Sequence, residues 1–170
     1  IDHELTTIIA RRQPTAIDLR LLLAISKTTT NLERVGDEAA KIARMVKRII
    51  ASSSARVLPA GDLRIAADLA AQQLRKALDA FARLSVDDAV AIIKDDDHLD
   101  REFDGFVRKL ITYMMEDPRT ISASIDLVFV AKAIERVGDH AKNIAEQIIY
   151  IVKGTDVRHN PIEAVESMTR

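Results

Sequence analysis

Three pairs of acidic residues in this chain share one spacing, and carboxylates at that spacing could bind metal ions together. The five residues from Glu33 to Asp37 read ERVGD, and the same five letters return from Glu135 to Asp139. Asp96 and Asp100 form a third pair with the same separation of four residues. On an α-helix, residues four apart lie on adjacent turns of one face, so each pair sets two carboxylates side by side.

Like charges at this spacing destabilise a helix by about 0.2–0.5 kcal/mol, and by more when they lose contact with water. Two such pairs facing each other would form a patch of four carboxylates, which suits Mg, Mn, Fe or Zn ions, several of them bridged in one cluster. The sequence therefore predicts an oxygen-rich metal site. Its predicted ligands are Glu33, Asp37, Asp96, Asp100, Glu135 and Asp139.

Two other interpretations of these acids stay open at the level of sequence. In one, the acids pair with Arg34 and Arg136 as ordinary salt bridges and the chain is a plain helical scaffold. In the other, the carboxylates hold metal in an enzyme that acts on phosphate esters or oxygen, with His98 or His140 as general acid or base. The sequence contains no Gly-rich phosphate loop and no nucleophile motif, so no catalytic residue is predicted.

The elements that must position these acids are predicted to be long helices. Glycine (5 residues), proline (4) and aromatic residues (4%) are scarce, which favours an all-α fold. Apolar periodicity and capping signals predict helices at 16–50, 62–84, 86–116 and 122–153, with part of a helix before Pro14. The Ser-rich stretch after Ala51 is predicted as a loop and the chain beyond Gly154 as a frayed tail.

The first and last of the long helices share one apolar seam, repeated after 102 residues. In the helix at 16–50 it runs Leu22, Ile25, Thr29, Leu32, Gly36, Ala39, Ala43, Val46 and Ile50. On the same register, residues 1–12 correspond to the end of helix 86–116, and the equivalent of Asp96 and Asp100 falls before Ile1. The second acidic site is thus predicted complete and the first incomplete. Helix 16–50 should expose apolar surface and favour association.

Bulk composition narrows the class of protein. The formal net charge is −1, which gives no electrostatic reason to expect a nucleic acid as partner. The chain has no cysteine, which fits an intracellular protein, and no run of residues long and apolar enough to insert into a membrane. A cytoplasmic protein is therefore expected.

Several stretches of the chain closely resemble the PhoU family of bacterial phosphate-uptake regulators. They include ARRQPTAIDLRLLLAISKT, LERVGDEAAKIA, DREFDGFVRKLITYMMEDPRTI and IERVGDHAKNIAE, and the likeness covers residues 1–160. The resemblance implies two similar three-helix bundles, with residues 1–55 as the last part of the first bundle. Residues 56–160 would form a complete second bundle, and 161–170 a tail.

The resemblance also implies a function. The paired acids would hold multinuclear metal clusters, with Glu135, Asp139, Asp96 and Asp100 in the second bundle and Glu33 and Asp37 in the first. Members of the family act as negative regulators of phosphate uptake and phosphate-starvation signalling rather than as enzymes. They are thought to connect the ATPase subunit of the phosphate transporter with a membrane sensor histidine kinase, and they commonly form homodimers.

Overall fold

The chain folds into long helices joined by short turns. A computed structural model describes residues 1–51, 60–158 and 160–169, and these residues contain no β-strand. The helices are α1 (Asp2–Arg12), α2 (Ala16–Ala51), α3 (Ala60–Arg83), α4 (Val86–Glu116), α5 (Ile121–Lys153) and α6 (Ile162–Thr169), with a 3-10 turn at Pro118–Thr120. The predicted all-α class is confirmed. The predicted loop after Ala51 lies outside the described residues.

The boundaries of the helices follow from local signals in the sequence. Ser85 caps the start of α4, because its side-chain oxygen accepts a hydrogen bond from the backbone N–H of Asp88 at 3.4 Å. Gly154 ends α5 in the left-handed conformation, with φ of 75°, and its N–H donates to the carbonyl oxygen of Tyr150. These two caps define where α4 begins and where α5 ends.

Helices α3, α4 and α5 pack together around two apolar clusters. The first core cluster includes Ile92, Ile144 and Ile148, and the second core cluster includes Leu110 and Leu127. Along each helix the two clusters are separated by a polar or small residue, which is Gln73 on α3, Asp96 on α4 and Gly138 on α5. The bundle thus holds a polar layer between two apolar layers.

Helix α2 lies antiparallel along α5. Arg20 Nε donates to the carbonyl oxygen of Ile151 at 3.0 Å, whereas Arg48, near the other end of α2, pairs with Asp126 at 3.2 Å. The side of α2 that faces α5 buries Ala24, Thr28 and Glu38, and three larger apolar residues of the same side pack against the second core cluster. These three are Ile42, Met45 and Ile49.

The repeated seam of α2 is mostly exposed to solvent. Leu32, Gly36, Ala39, Ala43, Val46 and Ile50 are all exposed, and Leu22, Ile25 and Thr29 are half-buried. The expectation that this helix displays apolar surface is therefore confirmed for the second half of the seam. The N-terminal part of α2 is contacted by α1, where Ser26 Oγ donates to Asp2 Oδ1 at 3.0 Å.

The C-terminal segment is ordered against the bundle. Val157 and Val165 are 2% and 1% exposed and belong to the first core cluster, and Lys94 of α4 forms an ion pair with Glu166 of α6. The prediction of a frayed chain beyond Gly154 is wrong here, because two valines insert into the core. None of the helices in the described ranges has a stretch long and apolar enough to cross a membrane.

Candidate metal centre

The polar layer brings the acids of α4 and α5 together. Asp96 is 3% exposed, Glu135 and Asp139 are partly buried on the facing side of α5, and Asp100 lies at the exposed rim. We call Asp96, Asp100, Glu135 and Asp139 the carboxylate layer. The prediction that the acids of these two helices lie near the apolar seam is thus met by their positions in the bundle.

Gly138 allows the helices to approach closely at this level. A Cβ atom at Gly138 would overlap Leu99 Cδ2 of α4 and would lie 3.2 Å from Gln73 Oε1 of α3. Gln73 is buried, and its Nε2 donates to the carbonyl oxygen of Ile92 at 3.4 Å. The glycine of the repeated motif therefore permits the tight packing that draws Glu135 and Asp139 toward α4.

The four carboxylates of the layer affect one another electrostatically. Burial raises the pKa of Asp139, and the nearby negative charges of Glu135 and Asp96 raise it further. Burial also raises the pKa of Asp100, followed by the charges of Asp96 and Glu135. Negative charge is thus crowded where water is partly excluded, and ionisation of Asp100 and Asp139 is less favourable as a result.

Two lysines offset part of this charge. Lys142 Nζ donates to Asp96 Oδ2 at 2.7 Å, and Lys132 Nζ donates to Glu135 Oε1 at 2.6 Å. Burial lowers the pKa of Lys142, but its hydrogen bond with Asp96 and the surrounding carboxylates more than compensate, so the pKa is raised overall. With four carboxylates and two ammonium groups, the layer keeps an excess of negative charge.

The donor set of the layer fits a hard divalent cation. Oxygen ligands from carboxylates are those that Mg, Mn, Fe and Zn can share, and the residual negative charge favours a cation. As the side chains stand, no three His, Asp or Glu groups of the described chain form a metal-ligating arrangement. Lys132 and Lys142 occupy oxygens of Glu135 and Asp96, so binding would require those ammonium groups to move.

The first copy of the motif lies in a different environment. Glu33 and Asp37 are exposed on α2, on the part of the helix that displays the repeated seam. The charges that shift Asp100 and Asp139 come from residues of α4 and α5, not from these two acids. The structure therefore brings four of the six predicted ligands together and leaves Glu33 and Asp37 apart from them.

Among the described residues, neither arginine of the two motifs forms a salt bridge with an acid of either motif. Arg136 Nη1 contacts Glu38 Oε1 of α2 at 3.1 Å, and Glu38 lies just outside the motif. His140 faces α2 as well, because its Nδ1 lies 2.9 Å from Asn31 Oδ1. Burial lowers the pKa of His140, and the positive charge of Arg34 lowers it further. Arg136 and His140 thus serve the contact between α2 and α5.

Two features were not predicted from the sequence: the lysines that pair with the carboxylate layer, and a cavity beside it. Lys132 is three residues before Glu135, a spacing that could have signalled a helical ion pair, whereas the Lys142–Asp96 contact depends on how two helices cross. A cavity of about 900 Å³ opens beside Asp139, between α4, α5 and the C-terminal segment. Asp97 and Lys142 line the same cavity.

Comparison with known proteins agrees with this architecture. The sequence profile of the PhoU domain matches residues 1–46 and 63–148. The chain is 47% identical over 161 residues to the "Phosphate-specific transport system accessory protein PhoU homolog" of Pseudomonas putida, covering 94% of this chain and 62% of that protein. It is also 47% identical over 159 residues to the accessory protein PhoU of Escherichia coli K12, covering 94% and 65%. The chain thus spans less than two thirds of the length of these curated relatives.

Solved structures are similar along most of the chain. The crystal structure of PhoU from Pseudomonas aeruginosa superposes with a TM-score of 0.85 at 44% identity, over 91% of this chain and 73% of that one. The phosphate transport system regulatory protein PhoU from Streptococcus pneumoniae gives 0.81 at 25% identity, over 91% and 71%. With the fold, the duplicated motif and these identities in agreement, this chain belongs to the PhoU family.

Proposed function

We propose that this chain is a regulatory accessory protein of phosphate transport that binds divalent metal at the carboxylate layer. Its role would be negative regulation of phosphate uptake and of phosphate-starvation signalling, without catalysis. Membership of the family carries the regulatory part of this proposal, because the relatives are named as accessory proteins of phosphate transport. The crowded carboxylates of α4 and α5 support the metal-binding part.

The metal would be held by Asp96, Asp100, Glu135 and Asp139. When bound, a multiply charged cation would neutralise the carboxylates and hold α4 against α5. Oxygen ligands discriminate poorly among Mg, Mn, Fe and Zn, so the proposal concerns the class of ion and a site that can hold more than one. Glu33 and Asp37 would contribute only if further carboxylates came to face them.

The proposed partners are the ATPase subunit of the phosphate transporter and a membrane sensor histidine kinase. The protein would act in the cytoplasm as an adaptor between them, as a homodimer. A pull-down with the purified ATPase subunit and with the cytoplasmic part of the kinase tests this role. A gene deletion should release starvation-induced expression when phosphate is plentiful, and a normal response in the deletion strain would refute the regulatory proposal.

Metal binding predicts a gain in thermal stability that depends on the second motif. An ion that binds only the folded state at 100 times its Kd adds about 2.7 kcal/mol. For a chain of this size, that gain should raise Tm by roughly 5–10 °C. The measurement is differential scanning calorimetry with and without Mn²⁺ or Mg²⁺, on wild type and on Asp139→Asn. The variant should lose most of the gain.

Asp37→Asn is the matched control, because Asp37 holds the same place in the first motif but lies exposed on α2. It should keep the full metal-dependent rise in Tm. Equal rises in wild type and both variants would show that the ion binds elsewhere, and the metal part of the proposal would then be wrong.

The raised pKa values of Asp100 and Asp139 determine whether the stability of the chain rises or falls with pH. Protons compete with the metal, so its stabilising effect should disappear as pH falls through these raised pKa values, before ordinary carboxylates protonate. Without metal, the change of stability with pH has the opposite direction. A carboxyl whose pKa is raised on folding favours the folded state while protonated, and that contribution is lost as pH rises through the folded pKa. Calorimetry with and without Mn²⁺ over a pH series measures both trends.

A further inference from the structure

A second cavity lies where α2, α5 and the C-terminal segment meet, and it adjoins the first cavity, with which it shares Asn143, Glu146 and Arg158. Its volume is about 310 Å³, near the lower end of the range for small-molecule sites. Three cationic side chains line it, namely Lys27 and Arg34 of α2 and Arg158 of the C-terminal segment. The chain as a whole carries a net charge of −1, so positive charge is concentrated at this cavity.

Two of these cations have no ion-pair contact among the described residues, although Asp156 lies near one of them: the hydrogen bond from Arg158 lowers the pKa of Asp156, and the charge of Lys27 lowers it further. Within the described ranges Lys27 and Arg34 form no salt bridge, and Lys27 Nζ lies 5.6 Å from the centre of the Tyr150 ring. Arg158 is paired with Asp156, outside the cavity lining, through an Nε to Oδ1 contact of 2.9 Å. One carboxylate, Glu146, lines the cavity. Three cations against two acids, Glu146 in the lining and Asp156 beside it, leave one excess positive charge at the cavity.

The same cavity contains a hydrogen-bond acceptor without a donor. Gln147 is 5% exposed and lines the cavity, and its Oε1 accepts no hydrogen bond from the residues that the structure describes. An enclosed carbonyl oxygen without a donor is unfavourable, so a ligand that supplied an O–H group here would gain affinity. Asn31 and Asn143 add two further carboxamides to the lining.

We propose that this cavity binds a phosphoryl group, from free phosphate or from a small phosphate ester, between Lys27 and Arg34. The two cations would contact the phosphoryl oxygens, and the guanidinium of Arg34 suits such oxygens because it can donate two parallel hydrogen bonds. Gln147 Oε1 would accept a hydrogen bond from a ligand hydroxyl. At neutral pH the hydrogen phosphate ion carries such a hydroxyl and sulfate does not, so the site should prefer phosphate over sulfate.

The test is titration calorimetry of the purified chain in low salt with a chelator present. The ligands are inorganic phosphate, glycerol 3-phosphate and sulfate. Phosphate, the ester or both should bind, and sulfate should bind more weakly. Arg34→Gln and Lys27→Gln should each weaken binding about tenfold or more, because each removes a charged hydrogen-bond donor. If only the ester binds with this sensitivity, the source of the phosphoryl group is an ester.

Two further variants sharpen the result. Arg44→Gln, an exposed arginine ten residues along α2, removes the same charge away from the cavity and should bind as wild type does. Gln147→Leu removes the unpaired acceptor at similar size and should reduce the preference for phosphate over sulfate while binding persists. Circular dichroism of each variant verifies that it is folded.

The proposal is overturned if neither phosphate nor the ester binds at millimolar concentration, or if sulfate binds wild type as tightly. Equal weakening in Arg34→Gln and Arg44→Gln would also overturn it, as would binding that disappears with the chelator or with Asp139→Asn. The measurement needs no partner protein and no metal. Its failure is therefore separate from failure of the proposed regulatory role, which is read from the deletion strain.

Discussion

Helices α2 and α5 carry the same seam and the same ERVGD motif, yet their surroundings are opposite. On α5 the seam is core, where Ile134 is 4% exposed and Ile148 is fully buried. At the equivalent positions of α2, Leu32 is 39% exposed and Val46 is 40% exposed. The difference comes from neighbours, because α3 and α4 cover the seam of α5 while α2 turns its other side toward α5.

The ERVGD motif occurs on both helices, but its acids are crowded by other carboxylates only on α5. The motif fixes two acids, a glycine and their spacing on one helix. The carboxylate layer forms at α5 because α4 contributes Asp96 and Asp100 and approaches closely at Gly138. On α2, Gly36 has no neighbouring atom within 4 Å of an added Cβ, and the acids beside it remain exposed. The motif alone therefore does not gather carboxylates; a facing helix that carries further acids is also needed.

The strongest test of this contrast truncates the seam at one equivalent position in each helix. Ile148→Ala should destabilise the chain by about 2–5 kcal/mol, since it removes a fully buried side chain and leaves a cavity. Val46→Ala should change the free energy of unfolding by no more than about 0.5 kcal/mol, because Val46 is largely solvated. Urea unfolding followed by circular dichroism measures both.

Similar losses in the two variants would show that the two seams have similar surroundings in solution. A large cost for Val46→Ala would mean that the seam of α2 is covered in solution, and sedimentation at several protein concentrations would then show whether a second copy covers it.

An intermediate effect is expected at the glycines of the two motifs. Gly138→Val should destabilise the chain by about 1–3 kcal/mol, because the added side chain overlaps Leu99 in a packed interior. Gly36→Val should be neutral or stabilising by a few tenths of a kcal/mol, roughly the advantage of valine over glycine in a helix. Thermal unfolding of the two variants shows whether each substitution stabilises or destabilises the chain. Stabilisation by both would show that Leu99 moves aside without cost.

Much of this architecture could be predicted from the sequence because its signals are local. Periodicity and caps placed the long helices within about two residues, as at α4, where Ser85 and Asp88 form the expected cap. Local signals also indicated that Asp96 interrupts an apolar face. They could not indicate that Lys142 reaches Asp96 or that Glu38 becomes buried against Arg136, since both contacts depend on how separate helices cross. The ordered α6 was missed because its stability comes from two valines inserted in the core.

The smallest predicted difference concerns the arginines of the two motifs. Arg136 pairs with Glu38, which is 8% exposed, so Arg136→Gln should destabilise the chain by roughly 0.5–1 kcal/mol. The loss is limited because Lys41 Nζ remains 3.5 Å from Glu38 Oε2. Arg34→Gln, at the equivalent place on α2, removes no salt bridge of the described chain and should leave stability unchanged. A double-mutant cycle of Arg136→Gln with Glu38→Gln isolates the pair. A coupling near zero would mean that the Arg136–Glu38 pair does not hold α2 on α5, so that the apolar contacts and the Arg48–Asp126 pair carry the association.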